Sequence, residues 1–250
     1  ETGRAPREND TMASKLSRTI AIGDIHGCFL ALDSLLDAID PKPDDRIVVL
    51  GDFIDQGRET KQAVDRLIKL ESQCQLVHLM GNHEEVLLNT LDDSTSLDYW
   101  MQCGGSSTLN SYRFGGSLSD ISESHIDFIR RGKDYLETEE FIFCHATPES
   151  TRPMSENSEY GLRWQLLDPE LVTPHMSGKT AFVGHTEQRN GEILDLGFIC
   201  CIDTACWRYG WLTAIDVDTR EVWQAQRFGA MRERGEKAAG PLGGAPLRVG

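Results

Sequence analysis

Three apolar runs near the start of the chain each stop at a glycine followed by a polar residue. The run over 18–22 ends in Gly23-Asp24-Ile25-His26-Gly27, and that over 46–50 in Gly51-Asp52-Phe53-Ile54-Asp55-Gln56-Gly57. The run over 75–80 ends in Gly81-Asn82-His83-Glu84. Short stretches rich in Ile, Val and Leu and closed by glycine predict buried strands stopped at their carboxyl ends. Between them the period changes. Phe29, Leu32, Leu35, Leu36 and Ile39 recur at helical intervals over 28–39, before Pro41. Val64, Leu67, Ile68 and Leu70 form a second such face over 59–70, and a third helix opens at 85–91. Three strand–helix units in succession predict a parallel or mixed sheet with covering helices.

After residue 92 the pattern breaks twice. Over 92–134, Tyr99, Trp100, Met101, Leu109, Tyr112 and Phe114 are interrupted by Gly104-Gly105 and Gly115-Gly116, and 124–131 regains a helical period. This stretch is expected to be a helical insertion over the sheet. From there short strand-like runs follow at 134–138, 140–145, 180–184, 192–195, 198–202, 211–217 and 221–226, with Asp218-Thr219-Arg220 as a hairpin turn. The expected fold is α/β, two packed sheets with helices outside, in one domain over 18–227. Residues 1–17 are polar and carry no apolar signal segment, while 228–250 is rich in Gly, Ala, Pro and Arg. Both are expected to be disordered tails.

Charge narrows the function classes. A formal charge of −15 over 250 residues argues against binding a nucleic-acid backbone or an anionic membrane, both of which require clustered cations. No apolar run approaches the roughly 18 residues of a membrane span. The seven cysteines are odd in number and show no CxxC spacing, which predicts free thiols in a reducing, cytoplasmic setting.

The strand ends carry the candidate chemistry. Divalent cations take carboxylate, imidazole and amide oxygen ligands. Asp24 and His26 are two residues apart, so an extended turn can direct both to one side. Asp52 comes from the adjacent strand end and Asn82 from the third. His145 and His185 close two later runs, Phe141-Ile142-Phe143-Cys144 and Ala181-Phe182-Val183-Gly184. His78, His125 and His175 lie at no such strand end and are expected to be structural.

These blocks resemble the three signature motifs of the phosphoprotein phosphatase family of calcineurin-like metallophosphoesterases, and most of all its bacterial and phage serine/threonine branch. The resemblance spans about 18–226, with His145 and Gly184-His185-Thr186 matching the two later metal histidines. It implies an αββα sandwich of two mixed sheets flanked by helices. By similarity, Asp24, His26 and Asp52 hold one divalent ion, and Asp52, Asn82, His145 and His185 the second. Mn²⁺ is the first expectation for the metal, with Fe or Zn²⁺ as alternatives. His83 is the implied general acid, oriented by Asp55. The implied substrates are phosphoserine and phosphothreonine in proteins, with phosphotyrosine beside them, attacked directly by a metal-bridging hydroxide in a monomeric enzyme. Two ions about 3.5–4 Å apart suit that chemistry, since they clamp both apical oxygens of an in-line displacement.

Two positions depart from the family. Gln56 stands where an arginine is common, and Met80 where a cation precedes Gly-Asn-His. Asn82 and Gln56 are left to contact the phosphate, with Arg163 matching a substrate arginine of the family; Arg58 reads as a solvated helix start. A symmetrical dinucleoside tetraphosphate hydrolase, which shares the metal blocks, is the alternative substrate class. A silent binding protein with the same fold is the other alternative.

Overall fold

Alternate residues of each central strand face different cores, as the two-residue period of an extended chain requires. The computed structural model describes residues 18–233. Strands β1 (Thr19–Ile22), β2 (Arg46–Val49) and β3 (Gln75–His78) run parallel in one sheet, connected through helices α1 (Phe29–Ile39) and α2 (Thr60–Leu70). Antiparallel strands β10 (Trp211–Asp216) and β11 (Val222–Ala225) complete the order β11-β10-β1-β2-β3, and the short β9 (Asp203–Thr204) also pairs with β10. A second sheet contains β4 (Tyr135–Glu137), β5 (Phe141–Cys144), β6 (Thr180–Val183), β7 (Leu194–Asp195) and β8 (Ile199–Cys201) in the order β4-β5-β6-β8-β7.

The alternation sorts the side chains into three layers. Ile20, Ile22, Ile47 and Val49 face the helices, whereas Ala21 and Val48 face the second sheet and meet Phe143 and Phe182 there. Ile142, Cys144, Ala181 and Val183 face outward into a third core with Met154 and Leu162. Two mixed sheets flanked by helices are therefore present, as the motif resemblance implies. The cover is uneven. Helices α1 and α2 and the segment after β3 cover the first sheet, whereas among the described residues the second has α7 (Glu159–Arg163), a 3-10 turn at Met154–Glu156 and coil on its outer face.

The 92–134 segment is helical, built from the end of α3 (Asn82–Asp92), then α4 (Leu97–Trp100), α5 (Ser106–Tyr112) and α6 (Glu123–Arg130). It kinks at Gly104, whose φ of 110° only glycine adopts readily and where a Cβ would lie 2.7 Å from the Gln56 backbone nitrogen. Two sequence boundaries change. The strand expected over 192–195 shortens to two residues. Residues 228–233, assigned above to a disordered tail, turn back onto the sheet: Met231 bridges Ala225, and Arg232 pairs with Glu192 at 2.6 Å. The rest of that tail, and all of 1–17, lies outside the described residues. All seven cysteines are unpaired, and among the described residues no helix is long and apolar enough to cross a membrane.

Candidate active site

The parallel strands deliver Asp24, Asp52 and Asn82 to one edge of the first sheet, the carboxyl edge where open α/β sheets place their ligands. The loops there are tightly bent. His26 (φ 45°), Asp52 (48°), Asp55 (66°), Gln56 (61°) and His185 (62°) all occupy the left-handed region, at a cost of about 1–3 kcal/mol each. Glu84 holds much of this in place. Its fully buried carboxylate accepts hydrogen bonds from the backbone N–H groups of Asp52 (2.8 Å), Phe53 (2.9 Å), Ile54 (3.2 Å) and Gly81 (3.0 Å). Gly51 lets the loops close up, because a Cβ there would sit 2.7 Å from Gly81 N and 2.9 Å from His145 Nδ1.

Three histidines are fixed in one tautomer by carbonyl groups, which can only accept a hydrogen bond. His145 Nδ1–H donates to Leu50 O (2.8 Å), His26 Nδ1–H to Ile54 O (3.0 Å), and His185 Nε2–H to Trp164 O (3.0 Å). Each ring thereby turns its other nitrogen, a bare lone pair, inward. His145 Nε2 lies 3.4 Å from Asp52 Oδ1 and 3.0 Å from Asn82 Oδ1; His185 Nδ1 lies 3.0 Å from the same Asn82 oxygen. His26 Nε2 faces Asp52 Oδ2 at 3.7 Å. Burial is the main force depressing His26 and His185, both to about 4, with neighbouring imidazoles adding to it, so both rings are neutral at pH 7.

Lone pairs and carboxylates converging without a cation are the donor set of a metal site. Asp52 joins two triads whose ligand atoms lie within 4.8 Å of one another: His26–Asp52–His83 and Asp52–His145–His185. Among the described residues no Lys or Arg pairs with Asp24, Asp52, Asp55 or Glu84, although all four are buried. Gly81 and Gly184 leave the room that Asp52 and Asp24 fill, since a Cβ on either would collide with the facing carboxylate. The residues therefore fit two cations bridged by Asp52. Asp24 belongs to neither triad. Its carboxylate instead accepts from the His185 backbone N–H (3.1 Å), and burial beside Asp203 and Asp52 pushes its pKa up.

His83 stands over this cluster. Its Nδ1 is 2.9 Å from Asp55 Oδ2, and Asp55 is braced by Thr108 Oγ1 (2.7 Å) and by the Trp100 indole N–H (3.0 Å) from the helical segment. Burial alone would lower the His83 pKa, but the Asp52 and Asp55 carboxylates outweigh it and raise it to about 9. Neither Trp100 nor Thr108 carried any sequence signal of this role.

The expected phosphate contacts divide. Asn82 lies within the cluster, but Gln56 spends its amide N–H on Cys103 O (2.7 Å). Arg163 is held between Glu85 (3.3 Å) and Asp134 (2.5 Å), beside the Trp164 indole N–H that also donates to Glu85 (3.0 Å). Met80 is buried, its backbone N–H on Lys133 O (2.8 Å). His78, His125 and His175 are structural: they bond Phe128 O, the Tyr112–Asp65 pair, and the Ser177–Arg152 loop.

A cavity of about 810 Å³ opens next to His26, lined by Gly27, Gln56 and Gly57, by Arg58, which the sequence reading makes a solvated helix start, and by five side chains with no sequence signal of function: Arg208, Arg227, Trp207, Tyr209 and Phe228. Trp207 meets the His26 ring edge-on at 6.4 Å.

Fold and donor set together fit the class of metal-dependent phosphoesterases, and the chain belongs to the calcineurin-like phosphoesterase family, whose sequence profile matches residues 17–186. That family uses a dinuclear metal centre, in accord with the two triads. Among individual proteins the chain is similar to the symmetrical bis(5'-nucleosyl)-tetraphosphatase of Pseudomonas fluorescens, 28% identical over 64% of this chain and 54% of that protein. It is also similar to serine/threonine-protein phosphatase 2 of Salmonella typhimurium, 31% identical over 34% of this chain and 37% of that protein. The chain thus spans about half the length of the first of these curated relatives, and less of the second. A solved structure provisionally described as a diadenosine tetraphosphatase shares the fold, with a TM-score of 0.66 at 18% identity, over 85% of this chain and 94% of that one.

Proposed function

We propose that the chain hydrolyses dinucleoside tetraphosphates at the strand-tip cluster. The cavity beside His26 carries this reading. A chain of net charge −15 places three arginines around one cavity adjoining the cluster. A substrate with a single phosphate would use the cluster alone. One with four phosphates extends further negative charge past it, where those arginines lie. The named activity of the Pseudomonas relative agrees.

In this reading Asp24, His26 and Asp52 hold one divalent ion and Asp52, Asn82, His145 and His185 the other, with His83 within reach of the first. When bound, the two ions supply charge neutralisation and a hydroxide nucleophile near neutral pH. Mn²⁺ suits the mixed carboxylate, imidazole and amide donors, as do Fe and Zn²⁺. Glu84 fixes the loop that presents Asp52. Asp55 accepts the His83 Nδ1–H and favours the imidazolium, so that Nε2, aimed at the cluster, also carries a proton and can give it to a departing oxygen. Arg163 acts at one remove, holding Glu85 and the segment whose Trp164 carbonyl orients His185. The free cysteines support a cytoplasmic protein, which we take to be a monomer.

A second reading, hydrolysis of phosphoserine or phosphothreonine, is favoured by the His83–Asp55 pair. An alkoxide is a poor leaving group and needs the proton such a pair delivers, whereas a phosphate leaving group needs it less. The Salmonella relative's name fits this reading. The decisive experiment compares kcat/KM for diadenosine tetraphosphate and for a phosphoserine peptide with Mn²⁺ present. A preference of about 100-fold for the dinucleotide is expected; the opposite preference overturns the proposal.

A further inference from the structure

The geometry points to a second anion subsite in the cavity, formed by Arg58 and Arg227, that holds the phosphates beyond the one at the metal cluster. This rests on the dinucleotide reading and assigns residues to it. Of the three arginines, Arg208 is already committed: its Nε bonds Glu187 at 2.7 Å, and its guanidinium lies over Trp207 at 4.1 Å. Arg227 is stacked over Phe228 at 4.5 Å and, among the described residues, donates a single 3.3 Å bond, to Trp207 O, which leaves most of its fork of donors unused. Arg58 makes no hydrogen bond or ion pair among the described residues and is exposed on the cavity wall.

Arg58 is not a freely wandering surface side chain, because the backbone on both sides of it is strapped to the first motif. Gly57 N–H donates to His26 O (2.9 Å) and Glu59 N–H to Gly27 O (3.1 Å). A Cβ at position 57 would collide with that same His26 carbonyl, so only glycine allows the strap to close. Position 58 is therefore held one residue from the anchor of a candidate metal ligand. Gln56, beside it, has turned its amide N–H to Cys103 and leaves the space open. The stacked ring holds Arg227 on the wall of the same cavity. Two guanidinium groups facing a common space can each take two oxygens of a phosphate chain in parallel bonds. Glu59 lines the same cavity and is the one acidic side chain there among the described residues. It disfavours a lone anion and sets a requirement for both cations together.

The ligand class is a phosphate chain of at least two units, one at the metals and the next at the arginines. ADP represents the chain, and orthophosphate the metal-bound unit alone. Isothermal titration of the Mn²⁺-loaded protein should show ADP binding at least about tenfold tighter than orthophosphate. Arg58→Ala and Arg227→Ala should each weaken ADP about tenfold, one charge-assisted contact's worth, and change orthophosphate less than twofold. Arg58→Lys, which keeps the charge and loses the fork, should fall between. Equal affinities for the two ligands in the unmodified protein, or equal losses for both in Arg58→Ala, overturn the subsite. The two proposals fail separately. Arg58-dependent ADP binding without turnover of diadenosine tetraphosphate keeps the subsite and removes the substrate reading. Turnover indifferent to Arg58 does the reverse.

Discussion

The strand-tip cluster and the cavity beside it adjoin one another yet are built by opposite means. In the cluster the side chains are fixed from behind by backbone: three histidines give one N–H each to backbone carbonyls, and Glu84 takes four backbone N–H groups. In the cavity, two of the three arginines keep donors in reserve. A chemical centre must hold its ligands to within a fraction of an ångström, which buried backbone bonds achieve. A surface that selects among substrates is better served by charges that bind only when the substrate arrives, since unpaired exposed cations cost little in water.

That contrast can be broken most severely at Asp52. Asp52→Asn removes the carboxylate shared by both triads and should lower kcat by ~10⁴-fold, about 5 kcal/mol, with loss of bound metal measured by elemental analysis. Normal turnover with a full metal complement would deny a shared ligand. His83→Asn should be milder, with kcat down ~10²–10³-fold and metal content kept. The loss should shrink for p-nitrophenyl phosphate, whose leaving group needs no proton; equal losses on every substrate would take His83 out of proton transfer.

Glu84→Ala tests whether the cluster's rigidity is built from backbone bonds. Four N–H groups would lose a buried acceptor, and urea unfolding should show about 3 kcal/mol less stability. A change under about 1 kcal/mol would mean that the loops at 51–54 and 81 hold themselves. The smallest effect is expected at Arg163, which sits between Glu85 and Asp134. Arg163→Ala should cost about 2 kcal/mol in stability, because Glu85 loses a largely buried partner, and leave kcat/KM within about threefold. A loss of 2 kcal/mol or more in kcat/KM would return Arg163 to the phosphate.

The same contrast separates what the chain discloses from what it conceals. Strands β1 to β3 and the helices between them could be read because each has an unbroken period and a glycine stop. The candidate ligands Asp24, His26, Asp52 and Asn82 could be proposed with them, since metal-competent side chains at successive strand ends are rarely a matter of turns alone. Helix α7 was hidden, being one and a half turns with Gly161 at its centre, and so was β9, whose two residues carry no period. Residues 228–233 were hidden because Gly229 and Arg232 look like tail until Met231 finds its bridge to Ala225. The cavity was hidden for a deeper reason. Arg58, Trp207 and Phe228 come from three distant segments and share no spacing, so only the folded chain shows that they meet.

The central claim is that Asp52 bridges two cation sites in one buried cluster. Equilibrium dialysis of the protein against Mn²⁺, with bound metal counted per chain, tests it directly. Two ions per chain are expected, falling to one or none when His145 and His185 are both replaced by alanine. A single ion in the unmodified protein, or two that survive the loss of both histidines, would contradict it.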